Sequence, residues 1–66
     1  MSKFQEWLLR YISERGITNA ECAKAFGVHQ SLITYYLKGT RQPTYETLQK
    51  IKRATGVDLN ILFESN

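Results

Sequence analysis

The chain holds little of what catalysis and cross-linking require: one Cys and one His in 66 residues. A single Cys excludes an intramolecular disulfide and a cysteine-based zinc site, and with a lone His it fits a reducing interior. No carboxylate pair, metal-ligand spacing or nucleophile–base pair appears, so the expectation is a non-enzyme with no cofactor and no metal. The stretch "MSKFQEWLLRYISERG" has no long apolar run, which argues against a signal peptide or membrane span and leaves the cytosol as the expected setting. Repeats and low-complexity segments are absent. At 42% hydrophobic and 23% charged, the composition is globular rather than disordered. No segment alternates with period two for long enough to read as a strand.

The length of 66 residues makes one domain, 1–66. A domain of this size buries only about 60% of the surface its unfolded chain exposes. Little room remains for a walled pocket, and no small-molecule ligand is expected. Formal net charge is +3, with basic residues spread from Lys3 to Arg53 and only Asp58 and Glu64 beyond. That excess leans weakly towards a polyanionic partner.

What is present reads as helices. Ser2 caps a first one, with Gln5 three residues on completing a capping box. Phe4, Leu8, Tyr11 and Ile12 recur at helical spacing, and Gly16 ends the helix after Arg15. Thr18 and Glu21 in "TNAE" form a second capping box, opening a short helix with Cys22, Ala23 and Phe26 inward, closed by Gly27. A third helix begins near His29 or Gln30 and runs to Lys38 before Gly39. After the turn "GTRQP", Thr44 caps a fourth with Leu48, Ile51, Ala54 and Thr55 inward, ending at Gly56. Asp58 caps a last short helix carrying Leu59, Leu62 and Phe63. The expectation is an all-α bundle of five helices.

The second and third helices are separated by little more than Gly27 and Val28. So short a turn forces a steep crossing, which suits the small Ala23 and needs the left-handed backbone that Gly27 adopts. A small residue, Gly four later and a β-branched apolar residue (Ile33) six after that make the helix-turn-helix pattern, over about 18–38. Over nearly its whole length the chain resembles the phage repressor and Cro family, the Xre-type or lambda-repressor-like helix-turn-helix proteins. The matching residues are Thr18, Ala23, Gly27, Val28, Ile33, Gly39, Pro43, Leu48, Ile51, Gly56, Val57, Leu62 and Phe63. The resemblance implies a compact five-helix bundle of phage or bacterial type that binds double-stranded operator DNA, mostly as a repressor and as a homodimer on a two-fold site. No membrane partner is implied.

On a wheel at about 100° per residue, Leu32, Ile33, Tyr36 and Leu37 share one arc of the third helix. Gln30, Ser31, Thr34, Tyr35 and Lys38 share the other. The first arc suits the core and the second a major groove, where Gln pairs with adenine N6/N7 and Ser donates or accepts. The family's base-contacting positions fall on Gln30, Ser31, Thr34 and Tyr35. For Tyr35 a thymine methyl, a phosphate and plain solvent all remain open. Phosphate contacts implied by family position fall on Asn19, Lys38, Thr40, Arg41, Gln42, Thr44 and Tyr45, with His29 near the DNA backbone. Many relatives bury an Arg–Glu pair where this chain has Ile12 and Leu37, and the alignment predicts that these two apolar side chains meet. The family's habit of dimerising near its last helix points to Ile61 and Phe63 as an interface. Cys22 reads as core rather than a reactive thiol.

A protein-interaction module on the same fold, such as an antitoxin, is the competing reading. Segregation of Gln30, Ser31, Thr34 and Tyr35 onto one arc speaks against it.

Overall fold

The computed structural model describes residues 2–62. Four α-helices follow one another: α1 (Lys3–Arg15), α2 (Asn19–Phe26), α3 (Gln30–Lys38) and α4 (Tyr45–Thr55). The predicted fifth helix is a single 3-10 turn, Leu59–Ile61, capped by Asp58. Its Asp58 carboxylate accepts from the Asn60 amide at 2.9 Å, and such geometry seldom runs beyond a turn.

The helix starts follow their caps. Thr18 Oγ1 accepts from the Glu21 amide at 3.1 Å while Glu21 Oε1 accepts from the Thr18 amide at 2.9 Å, the expected capping box. At α1 only half of a box forms. Ser2 Oγ accepts from the Gln5 amide at 3.0 Å, but the Gln5 side chain is engaged elsewhere. Its Nε2 donates to the Leu37 carbonyl at 2.7 Å, across to the end of α3. A carbonyl in a helix's last turn has no partner within the helix. Satisfying it outweighs a local bond that water can replace.

The stops are glycines in the left-handed region. After α2, Gly27 has φ of 73° and Val28 donates back to the Ala23 carbonyl at 3.0 Å, turning the chain within three residues towards α3. After α3, Gly39 has φ of 78°, and a Cβ there would lie 3.1 Å from the Gln5 amide atoms. Around Gly27 that space is open. Gly27→Ala therefore carries only the left-handed penalty of about 1–2 kcal/mol. Gly39→Ala adds the displacement of Gln5 and costs about 1 kcal/mol more, the worth of one hydrogen bond. Urea midpoints of the two variants measure that difference.

The core draws on every helix: Phe4 and Leu8, then Cys22, Ala23 and Phe26, then Ile33 and Tyr36, then Leu48 and Ile51, closed by Leu62. Ala54, expected inward, is exposed. Leu48 and Ile51 already fill the buried face of α4, and Thr55 turns its hydroxyl back to the Ile51 carbonyl at 2.8 Å. Trp7 is half-buried extra core, stacked at 5.2 Å on Tyr11 and 6.3 Å on Phe26. No polar or charged residue is buried among the described residues. Ile12 and Leu37 are both partly buried against the core.

Burial pushes the Cys22 thiol up from near 9 to about 11. Burial also raises Tyr36, against a lowering by its hydrogen bond to Thr47 and by the Arg41 charge. A raised folded-state value favours the neutral form. The stability it contributes is therefore whole below pH 9 and is lost as the pH climbs towards about 11. Thermal melts should fall through that window, less steeply in Cys22→Ala. A Cys22 thiol held neutral and fully covered resists alkylation until the domain unfolds.

Candidate nucleic-acid interface

Helix α3 divides as its sequence pattern requires. Ile33 and Tyr36 are buried, Leu32 and Leu37 half-buried, and Gln30, Ser31, Tyr35 and Lys38 exposed. Thr34 stands at the border, half-buried, its hydroxyl 3.5 Å from the Gln30 carbonyl. That distance is too long for a strong O–H···O bond, so the hydroxyl keeps its capacity for another partner. Tyr36 fixes the buried side: its ring meets Phe4 edge-on at 5.2 Å and its hydroxyl pairs with Thr47 of α4. Gln5 holds the C-terminal end through Leu37. A helix clamped at both places can present its outer face as a rigid unit.

The N-terminal end of α3 is distinctive. Helices α1, α2 and α4 each carry an acid in the first turn (Glu6, Glu21 and Glu46), and α3 carries none. The partial positive charge of a helix start is thus left without a neighbouring carboxylate only at α3. His29 is the N-cap, which settles the start of α3 between the two residues that the sequence allows. Its Nδ1 accepts from the Ser31 amide at 3.1 Å and lies 2.9 Å from Ser31 Oγ. The signal was available in His29 standing where Ser, Thr or Asp would be usual, directly before the first helical residue.

The charged groups stand at the other end. Lys38, Thr40, Arg41 and Gln42 are all exposed in and after the last turn of α3. Thr40 Oγ1 donates to the Tyr35 carbonyl at 3.2 Å, and the Arg41 guanidinium lies 6.0 Å over the Tyr35 ring. Tyr35 therefore touches the cationic turn as well as belonging to the outer face of α3. At the start of α4, Thr44 Oγ1 caps the helix through the Thr47 amide at 3.2 Å, and Tyr45 is exposed. Glu46 in the same turn weakens any pull of that helix start on an anion. Asn19 is half-buried in the first turn of α2. Ile61 is exposed, and Phe63 lies outside the described residues. A surface groove lined by Glu6, Leu9, Arg10 and Ser13 belongs to α1 and includes none of these residues.

No helix among the described residues is long and apolar enough to cross a membrane. The helix-turn-helix family profile matches residues 9–62, from the middle of α1 to the last described residue. A protein of Bacillus subtilis (strain 168), "Uncharacterized HTH-type transcriptional regulator YqaF", is 35% identical over 60 residues, covering 91% of this chain and 79% of that protein. No solved structure matches significantly. With four α-helices, a short α2–α3 turn at Gly27 and these two matches, the chain belongs to the helix-turn-helix family of the phage-repressor and Cro type.

Proposed function

We propose that the protein is a sequence-specific, double-stranded-DNA-binding transcriptional regulator, a Cro-like or Xre-type repressor that reads the major groove with α3. One observation carries this reading. Gln30, Ser31 and Tyr35 stand exposed and uncharged on a helix whose opposite face is locked into the core, with Lys38 and Arg41 following directly. Neutral donors and acceptors suit base edges, and cations and small polar groups suit phosphates. Gln30 and Ser31 take the base edges at the N-terminal end of α3, with Thr34 and Tyr35 beyond them. Lys38, Thr40, Arg41 and Gln42 hold one stretch of backbone, with Asn19, His29, Thr44 and Tyr45 as further phosphate contacts. Two copies on a two-fold site would set their reading helices about 34 Å apart, one turn of DNA. Ile61 and Phe63 supply the contact between copies.

Selection from a random duplex pool, followed by binding at two salt concentrations, tests the proposal. Gln30→Ala should cost roughly 1–3 kcal/mol and relax preference at one base pair. Arg41→Ala should weaken all duplexes alike and lower the salt slope by about one. If Gln30→Ala leaves both affinity and preference intact, α3 is not the reading helix in this register. Retention of a protein partner with no duplex preference would favour the interaction-module reading.

A further inference from the structure

His29 does more than start α3. Its Nδ1 accepts the Ser31 amide at 3.1 Å, and only a bare nitrogen accepts an N–H. The ring proton therefore sits on Nε2. The same Nδ1 lies 2.9 Å from Ser31 Oγ; a bare imidazole nitrogen has one lone pair and no proton, so in that contact the hydroxyl can only donate, sharing the lone pair with the amide. Ser31 has one hydroxyl proton, and this contact draws it towards His29. What remains on the exposed side of Oγ is lone pairs. A serine that alone both donates and accepts becomes, beside this histidine, an acceptor.

We infer that His29 is a positioning residue that sets the polarity of Ser31, so that Ser31 selects an amino-bearing base over a keto-bearing one. The inference rests on the reading of α3 as the groove-reading helix. In the major groove adenine N6 and cytosine N4 are donors, whereas guanine offers O6 and N7 and thymine O4, all acceptors. In the major groove every base pair presents one amino group. An acceptor facing one strand therefore tells A or C on that strand from G or T, and so reads which way round the pair lies. Serine with a free hydroxyl meets both classes.

The test uses the full chain and a random duplex pool, with wild type, Ser31→Ala, His29→Ala and His29→Asn selected side by side. Wild type should prefer A or C to G or T by about three- to tenfold at one position, the worth of a single hydrogen bond. Ser31→Ala should flatten that position alone. His29→Ala should flatten it too, because the freed hydroxyl donates to a keto oxygen as readily as it accepts from an amino group. His29→Asn keeps an acceptor at the cap and should restore the preference. A role confined to starting the helix predicts something else: His29→Ala would weaken every duplex equally and keep the amino preference, which overturns the inference. A keto preference at the position Ser31→Ala flattens, or a motif unchanged by Ser31→Ala, overturns it as well. Nitrogen NMR of wild type in mildly alkaline buffer reads the tautomer without any variant, and a proton on Nδ1 would refute the assignment. A wild-type pool with no motif at all fails the DNA-reading proposal itself; a motif indifferent to His29 fails only this inference.

Discussion

Ile33→Ala loses most of its helical circular dichroism in about 2 M less urea than wild type, or is unfolded at room temperature without any. Ile33 is fully buried, on the inner face of α3 between the helices that form the core. Removing a buried Ile side chain down to Ala costs about 2–5 kcal/mol, because the transfer term is lost and a cavity remains. A single core in a domain this small supplies roughly 3–5 kcal/mol in all. The two figures overlap, so one truncation suffices. Neighbouring Ser31 and Gln30 are exposed, and their truncation should leave the melt nearly unchanged while altering DNA preference. A midpoint shift worth less than about 1 kcal/mol for Ile33→Ala would mean that the site collapses around the loss, contrary to a core drawn from four helices at once.

Leu37→Glu alone lowers stability by about 3 kcal/mol, at the low end for an unpaired charge because Leu37 is only half-buried. Adding Ile12→Arg recovers about 1–3 kcal/mol of it. Both positions pack partly buried against the one core, and neither carries charge here. The apolar pair avoids desolvating two ions, and replacement of that kind is often neutral or stabilising. The price of reintroducing only one half is a carboxylate with no cation beside it. A double-mutant cycle on urea midpoints measures the coupling. Strictly additive effects would show that Ile12 and Leu37 do not meet, and would disqualify the alignment that pairs them.

The local signals in this chain were legible because they depend on a few adjacent residues. Thr18 with Glu21 makes its capping box, and Gly16, Gly27, Gly39 and Gly56 all adopt positive φ at the helix ends. The division of α3 into buried Ile33 and Tyr36 and exposed Gln30, Ser31 and Tyr35 follows from helical period alone. Sequence and structure part where a residue has two uses. Gln5 stands three residues after Ser2, the spacing of a local cap, yet its side chain serves Leu37, which lies 32 residues away in the chain. Helical period puts Ala54 on the inner face, but Ala tolerates either side and period alone cannot say how much of α4 is covered; Ala54 is exposed.

By itself, then, the sequence determined where helices start and stop, which face of each is apolar, and that the most distinctive stretch, "GVHQSLITYYL", keeps charge off its outer face. These are short-range properties, set by caps, by glycine's freedom and by the period of the helix. Only the tertiary structure decided how α3 is held: Gln5 on the Leu37 carbonyl, Tyr36 between Phe4 and Thr47, and Arg41 over Tyr35. It also set His29 Nδ1 within hydrogen-bond reach of both the Ser31 amide and Ser31 Oγ. Each of these turns on a distance of a few ångströms, in most cases between residues on different elements. Periodicity places a residue on a face, but only packing fixes which donor reaches which acceptor.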